Sequence, residues 1–247
     1  MLKANVEQLK PEAYTRLRGC SPSLCRFLTR MLHVSKDDRV LDLGCGPGEN
    51  TALLAGLSRA RVEGLDIDPE RIAHARASNP ALTFHQDSAE ALSFADASFT
   101  AVTMMLSVQR FGDRTKVFQQ VLRVLAPGGR VGIATVSPEQ LAARPDFSVF
   151  PTALRIERKR FPAISKLWEE LAQYGFTHIE AAPFSEVIRP LDATFVRWLE
   201  GYPFTVLKRI PDEEFRGGLQ AIRESIQSSG SVRLLTDEYT VITAITS

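Results

Sequence analysis

Short apolar runs alternate with amphipathic segments through the first half of the chain. The runs are rich in β-branched residues and are followed by glycine or acidic residues, which is typical of buried strands. The predicted strands are 39–44, 61–68, 81–85, 98–106 and 130–136. Apolar positions at helical spacing predict intervening helices over 49–57, 69–77 and 114–125. This regular alternation favours a parallel sheet with helices on both faces, and such sheets bind ligands at the carboxyl ends of their strands.

The second half of the chain has a less regular pattern. Prolines and phenylalanines scattered over 138–163 predict an irregular lid with short helices, and a helix is predicted over 164–174. Alternating apolar and polar residues predict strands over 178–187 and 238–245. Residues 191–229 favour two or three further helices.

The domain organisation follows from these segments. Leucines at helical spacing over 7–32 predict that residues 1–35 form an N-terminal helical lid. We expect residues 36–247 to form one domain, since 247 residues suit one large domain or one domain with a substantial insertion. Lid segments within this domain are predicted at about 138–163 and 188–231.

Composition and charge exclude several classes of protein. The 30 basic and 29 acidic residues leave a formal net charge of +1, which argues against a charge-driven nucleic-acid coat protein. Three cysteines are too few for a disulfide scaffold and predict a reducing compartment. No apolar run reaches the roughly 18 residues of a membrane span, and Asn5 and Glu7 interrupt any signal-peptide core. We therefore expect a cytoplasmic protein.

The first predicted strand leads into a glycine loop flanked by acidic residues. Asp42 precedes Gly44, Gly46 and Gly48, so the glycines have the spacing Gly-x-Gly-x-Gly. Glycine lets the backbone turn tightly and lets a ligand approach closely. A dinucleotide fingerprint needs its third glycine one residue later, where this chain has Glu49, whose carboxylate would repel a pyrophosphate. The loop therefore favours a ligand with a positive centre.

Acidic residues also follow the second and third predicted strands. Asp66 ends the second strand, where a carboxylate can accept hydrogen bonds from both hydroxyl groups of a ribose. Asp87 and Ser88 follow the third strand, and a carboxylate at that place can accept a hydrogen bond from an adenine amino group. These positions suit the two parts of an adenosine.

Taken together, these motifs resemble those of the class I S-adenosylmethionine-dependent methyltransferases, and most nearly the methyltransferase type 11 group. The resemblance covers residues 36–137 approximately, with motifs at 42–48, 66, 87–88 and 125–130 in the order typical of that group. Each motif is weak by itself, whereas four in order are specific. The resemblance implies a Rossmann-like α/β fold with a seven-stranded, mostly parallel sheet, a reversed last strand and helical lid insertions.

The resemblance implies that the glycine loop binds the methionine part of S-adenosylmethionine. Gly44, Gly46 and Gly48 would line the methionine moiety, and Asp42 would lie near its ammonium group, directly or through water. Tyr14 would close over the cofactor, because N-terminal helices of this family often form a lid. The product of the cofactor would be S-adenosylhomocysteine.

The same resemblance assigns the adenosine part of the cofactor to the next strands. Asp66 would hold the ribose, and Ile67 would pack on the adenine. Asp87 would accept a hydrogen bond from the adenine amine, aided by the backbone of Ser88. Met104, at the carboxyl end of the fourth strand, would lie under the cofactor.

The chain offers no clear catalytic base. Methyl transfer from a sulfonium is an in-line displacement, and a base is needed only when the nucleophile must lose a proton. Many members of the family carry a histidine just after the fourth strand, where this chain has Gln109 and Arg110. We therefore assign no catalytic residue. Either the nucleophile ionises easily, or a lid residue such as Glu139, Glu157 or Tyr202 accepts its proton.

Four residues are candidates for contact with the substrate. Gln109 and Arg110 follow the fourth strand, while Phe150 and Arg155 belong to the predicted lid. Phe150 would either form part of an aromatic substrate wall or pack in the core. Arg155 lies in a basic run at 155–160, which would either be a solvated face or capture an acidic substrate.

The sequence leaves two functions open. The first is S-adenosylmethionine-dependent methyl transfer to a small molecule, and the second is binding of that cofactor without transfer, which the absent histidine motivates. The glycine spacing argues against a nicotinamide dehydrogenase. The lack of an Asn/Asp-Pro-Pro-Tyr motif and of net basic charge argues against a nucleic-acid methyltransferase. We expect no metal site, no nucleic-acid or membrane partner, and a monomer or homodimer.

Overall fold

A seven-stranded sheet forms the centre of the molecule. The computed structural model describes residues 21–201, 205–228 and 233–246. The strands, in chain order, are β1 Arg39–Leu43, β2 Arg61–Asp66, β3 Thr83–Gln86, β4 Phe99–Met105, β5 Leu125–Thr135, β6 Phe176–Leu191 and β7 Arg233–Thr246. Their order across the sheet is β3-β2-β1-β4-β5-β7-β6.

The strand directions confirm the predicted fold class. β1 to β5 pair in parallel, and β7 runs antiparallel to both of its neighbours, β5 and β6. The sheet is therefore mostly parallel with a reversed last strand, as expected. β1 and β4 lie side by side although they are not consecutive, so the chain winds outward from them in both directions. Ligands in such sheets bind where the strand order reverses in this way.

Helices pack on both faces of the sheet, with α1 and α2 on one face and α4 and α8 on the other. In chain order they are α1 Pro22–Met31, α2 Glu49–Ser58, α3 Pro69–Ser78, α4 Arg114–Val124, α5 Pro138–Ala143, α6 Pro145–Ser148, α7 Pro151–Arg160, α8 Ile164–Gln173, α9 Ala193–Glu200 and α10 Asp212–Ser228. Side-chain caps fix the starts of α3 and α4, where the carboxylates of Asp68 and Asp113 accept backbone N–H groups. None of these helices is both long and apolar enough to cross a membrane.

Two helical insertions, predicted from the sequence as lid segments, meet in one apolar cluster. Helices α5, α6 and α7 follow β5, while α9 and α10 follow β6. The fully buried ring of Phe150 stacks on Phe215 of α10, with ring centroids 5.9 Å apart. Gly218 lets α10 approach this ring, because a Cβ at that position would lie 2.2 Å from a ring carbon. The two insertions therefore pack against each other as well as on the sheet.

Strand boundaries in the second half differ from the sequence prediction. β5 begins at Leu125, which was predicted to end a helix, because Leu125 pairs with Phe99 before the register shifts. β6 extends to Leu191 and β7 begins at Arg233, since the two strands form an antiparallel ladder longer than the apolar alternation. Residues 188–191, predicted as part of the lid, therefore belong to a strand.

Candidate functional site

A cavity of about 320 Å³ opens at the carboxyl ends of the first strands of the sheet. This is the edge of the sheet that the alternation of strands and helices predicts for a ligand. The cavity is lined by Gly44, Leu65, Asp66, Ile67, Asp68, Arg71, Ser88, Ala89, Glu90, Ser107, Arg110, Phe111 and Gly112. A more open cavity of about 610 Å³ along α1 contains none of the predicted site residues.

Asp66 lies at the centre of this cavity wall, at the end of β2. One of its carboxylate oxygens accepts the N–H of Gly46 at 2.9 Å, and the other accepts the N–H of Asp68 at 3.0 Å. The side chain thereby joins the glycine loop to the start of α3. A carboxylate has about four acceptor sites, so each oxygen retains capacity for a hydroxyl group of a ligand.

The three glycines of the loop have different roles. All three have positive φ values, which glycine adopts without strain. Gly44 lines the cavity, and a Cβ there would lie 2.6 Å from the Cβ of Ser107. Gly48 does not line the cavity, and its missing side chain makes room for the ring of Phe84. Gly46 acts through its N–H on Asp66. The structure thus brings one of the three glycines to the cavity wall.

Asp42 lies beneath the glycine loop and is almost fully buried. Its two oxygens accept hydrogen bonds from the hydroxyl groups of Thr51, at 2.7 Å, and Thr103, at 3.1 Å. Burial nevertheless raises the pKa of the Asp42 carboxyl to about 6. Asp42 does not line the cavity, so its effect on a ligand would be electrostatic or pass through water. Tyr14, predicted to close the methionine end, lies outside the described residues.

Of the three residues predicted to contact the adenine, two line the cavity and one does not. Ile67 lines the cavity and exposes 69% of its surface, so it presents an apolar face to a ligand. Ser88 also lines the cavity, followed by Ala89. Asp87 does not line it, because its carboxylate turns back to accept the N–H groups of Ser88 and Ser93 at 2.7 and 2.9 Å.

The turn after β4 lines the cavity in place of the strand itself. Leu106 has a φ of 53°, a strained value for a bulky residue, and the chain turns there. This turn brings Ser107, Arg110 and Phe111 to the cavity. Met104, predicted to lie under the cofactor, does not reach the cavity. Its side chain is fully buried in the apolar cluster that α4 covers, because it faces that side of the sheet.

The four candidate substrate residues have separate environments. Arg110 lines the cavity, whereas Gln109 turns its amide nitrogen back to the carbonyl oxygen of Leu106 at 2.7 Å. Phe150 is part of the buried packing of the lid and does not line the cavity. Arg155 is exposed on α7 and does not line it either. The structure therefore brings only Arg110 of this group to the cavity wall.

Several cavity residues were not singled out from the sequence. Arg71 belongs to the first turn of α3, and Glu90 follows β3, where it accepts the N–H of Asp113 at 2.9 Å. Phe111 and Gly112 belong to the chain just after β4. Their position in the sequence could have identified them, because each lies a few residues beyond the carboxyl end of a predicted strand.

The candidate bases that the structure describes do not line the cavity. None of the four histidines, all of them in the described part of the chain, lines it. Glu139 is exposed, and its hydrogen bond with Ser137 lowers the pKa of its carboxyl. Glu157 is buried and bound to Arg160 at 2.7 Å. Tyr202 lies outside the described residues.

Much of this chain is similar in sequence to known proteins. Residues 40–129 match the family model described as a methyltransferase domain. The chain is 33% identical, over 225 residues, to 27-O-demethylrifamycin SV methyltransferase of Amycolatopsis mediterranei, covering 84% of this chain and 79% of that protein. It is 32% identical, over 173 residues, to O-methyltransferase cnsE of Penicillium expansum, covering 68% of this chain and 62% of that protein. The chain thus spans less than two thirds of the length of cnsE.

A solved structure shares the fold. A putative methyltransferase from an antibiotic biosynthesis pathway of Anabaena variabilis ATCC 29413 superimposes with a TM-score of 0.76. The match covers 92% of this chain and 98% of that one, at 17% sequence identity. At this level of identity the likeness shows the architecture, and the residues of the cavity must be interpreted from their own chemistry.

Proposed function

Because this chain belongs to the class I S-adenosylmethionine-dependent methyltransferases, we propose that it transfers the methyl group to an oxygen atom of a small-molecule acceptor. The observation that carries the proposal is the cavity at the switch point of the sheet, in which Asp66 and Ile67 lie side by side. The two relatives described above are named for O-methylation, which supports an oxygen acceptor.

The residues around the cavity fit this cofactor. Asp66 retains acceptor capacity for the two ribose hydroxyl groups, since each oxygen accepts one backbone N–H. The exposed side chain of Ile67 offers an apolar surface for the adenine. Asp42 adds negative charge beneath the loop, where a cationic ligand would be stabilised. When bound, S-adenosylmethionine supplies a methyl group on a positively charged sulfur that is already activated for displacement.

The contribution of the chain to the reaction is mainly positional in this proposal. Asp66 and Ile67 hold the adenosine part, and the lid formed by α5–α7 and α9–α10 excludes water from the acceptor side. Holding an acceptor oxygen in line with the methyl group, in a dry pocket, supplies much of the rate enhancement. No described histidine lines the cavity, so the proposal includes no general base.

A binding experiment followed by a turnover experiment tests the proposal. Calorimetric titration is expected to give micromolar binding of S-adenosylmethionine and S-adenosylhomocysteine, and none of NAD. Incubation with methyl-labelled cofactor and a panel of hydroxylated metabolites should then give S-adenosylhomocysteine and methylated product in equal amounts. Binding without turnover of any acceptor would favour the alternative, a cofactor-binding protein that transfers no methyl group. No binding of either adenosyl ligand would contradict the assigned site.

A further inference from the structure

Two guanidinium groups from different elements line the cofactor cavity, and a third acts electrostatically on one of them. Arg71 belongs to α3, Arg110 to the turn after β4 and Arg160 to the lid helix α7. Arg71 and Arg110 line the cavity. Burial, together with the positive charges of Arg71 and Arg160, lowers the pKa of the Arg110 guanidinium, and the opposing effects of Asp66 and Glu157 are smaller. The fold, rather than a basic run in the sequence, therefore brings these charges together.

Arg110 differs from the other two arginines in having no ion-pair partner among the described residues. Arg71 pairs with Asp68 at 3.2 Å between nitrogen and carboxylate oxygen, and Arg160 pairs with Glu157 at 2.7 Å. Within the described parts of the chain, no hydrogen bond or ion pair joins the guanidinium of Arg110 to another residue. Arg110 is exposed, so water can solvate its guanidinium, but a ligand that fills the cavity would displace part of that water. A charge that loses water without gaining a partner is unfavourable, so we expect the ligand to bring a partner for it.

The carboxylates of the cavity do not supply that partner. Asp66, Asp68 and Glu90 line the cavity, but none of them forms an ion pair or a hydrogen bond with Arg110. S-adenosylmethionine brings one carboxylate, but the glycine loop is expected to bind its methionine part, and its ammonium and sulfonium groups give it a net positive charge. Charge balance in a complex with cofactor and acceptor therefore calls for a negative group on the acceptor.

We propose that the acceptor carries an anionic group, a carboxylate or a phosphate, that binds the guanidinium of Arg110 beside the cofactor. This rests on the proposed function, because it assigns the acceptor subsite of the same cavity. A guanidinium presents N–H donors in a fork that matches two oxygens of either anion. The exposed Arg155, expected from the sequence to have this role, does not line the cavity.

The subsite also bears on the missing base. A fixed positive charge close to a hydroxyl group favours its ionised form, so it lowers the pKa of that hydroxyl. The anionic group proposed to bind Arg110 offsets this charge, so the effect on a separate hydroxyl group of the same acceptor is small. An acceptor whose nucleophile is itself a carboxylate needs to lose no proton at all.

The experiment compares small anions with a neutral analogue. Protein saturated with S-adenosylhomocysteine is titrated with sodium acetate, inorganic phosphate and acetamide. We expect the wild-type protein to bind at least one anion in the millimolar range and acetamide more weakly by at least about tenfold. The Arg110→Met variant should bind the anion about ten- to a hundredfold more weakly, the loss expected for a charge-assisted contact. Its affinity for S-adenosylhomocysteine should change by less than about twofold.

A matched control and the other outcomes complete the test. Arg197→Met removes an exposed arginine of the lid helix α9 that does not line the cavity, and it should leave both affinities unchanged. The proposal is overturned if wild-type protein binds none of the three probes, or binds acetamide as tightly as the anions. A loss of S-adenosylhomocysteine affinity in Arg110→Met would assign the guanidinium to the cofactor and also overturn it. Failure of wild-type protein to bind S-adenosylhomocysteine would refute the proposed function instead.

Discussion

Asp66 has a structural role, and the proposed function gives its carboxylate a binding role as well. Replacing it with alanine removes the acceptor for the ribose hydroxyl groups, so Asp66→Ala should weaken S-adenosylhomocysteine binding by about 2–4 kcal/mol. Calorimetric titration measures the change directly. Because Asp66 also accepts the N–H groups of Gly46 and Asp68, the variant should lose some stability as well.

A variant that loses a helix-capping hydrogen bond away from the cavity separates the loss of stability from the loss of ligand affinity. Asp113→Ala removes the N-cap of α4 without touching the cavity, since Asp113 accepts the N–H of Lys116 and is not among the lining residues. It should lower the free energy of unfolding by about 1 kcal/mol and leave cofactor affinity unchanged. Unchanged affinity in Asp66→Ala itself would remove Asp66 from the binding site.

Asp42 should make cofactor binding depend on pH. Its pKa of about 6 in the ligand-free protein means that the carboxyl is protonated below that pH. A cationic ligand favours the ionised form, so the affinity for S-adenosylmethionine should rise as the pH increases through 6 and level off above about 7. Titrations between about pH 5 and 8 measure this step, and Asp42→Asn should bind with a flat profile over the same range.

The free energy of unfolding of the ligand-free protein should fall with increasing pH, whereas the affinity for the cofactor rises. The pKa of Asp42 is raised above its ordinary value of 3.8, so its contribution to folding is fully present below that value. The contribution is lost as the pH rises through about 6, where the buried carboxyl must ionise. Ligand-free wild-type protein should therefore become easier to unfold with urea across this range, relative to Asp42→Asn. Parallel profiles of the two proteins would contradict the raised pKa.

At the scale of residues, the sequence predicted groups that directly follow strands. Asp66, Ile67 and Ser88 could be placed because an apolar run ends just before them, and all three line the cavity. The position of Met104 could not be predicted in this way, because the pattern does not show which face of the sheet the last residues of a strand point to. Arg110 was named from its position, but its lack of a partner depends on distances that only the folded chain has.

The two neighbouring glycines of α10 should respond oppositely to alanine. Gly217 is exposed and a Cβ there meets no atom, so Gly217→Ala should raise the free energy of unfolding by about 0.5–1 kcal/mol through helix propensity. Gly218 lies against the ring of Phe150, so Gly218→Ala should lower it by about 1–3 kcal/mol. Urea unfolding of both variants measures the difference.

The pair also tests the assignment of Phe150 to lid packing. If the added methyl group displaces the ring of Phe150, Phe150→Leu should restore part of the stability lost in Gly218→Ala. Equal stabilisation by the two alanine variants would mean that the helix and the ring are not packed as described.

At the scale of elements, the sequence predicted the first four strands to within a few residues, because each is bounded by glycine, proline or acidic residues. The predicted start of β5 was wrong, because Pro127, Gly128 and Gly129 are residues typical of the end of a helix. The pairing of Leu125 with Phe99 overrides that local signal. The packing of the two lid insertions against each other rests on contacts between distant segments, which periodicity does not contain.

At the scale of the molecule, cofactor binding should stabilise the fold as a whole. S-adenosylhomocysteine at about 100 times its dissociation constant should add about 2.7 kcal/mol to the free energy of unfolding. For a protein of this size, that corresponds to an increase of about 5–10 °C in Tm. Thermal unfolding with and without the ligand measures the shift, and NAD at the same concentration should produce none. A shift of equal size with NAD would contradict the selectivity expected from the glycine loop.

The reversed last strand was expected from the family resemblance and not from periodicity. The alternation of strands and helices predicted a parallel sheet. It did not show whether the last strand of the sheet lies at the edge or between two other strands. The reversed β7 lies between β5 and β6, so the two strands from which the lid insertions start are both its neighbours.

This position of β7 has a consequence for how the chain folds as it is synthesised. A ribosome releases residues in sequence order, so β1 to β5 can pair while later segments are still being made. In the sheet as described, β6 hydrogen-bonds only to β7, and it has no partner until residues 233–246 have left the exit tunnel. The cofactor half of the sheet can thus form first during translation, whereas the half that anchors the second lid insertion must wait until residues 233–246 have been released.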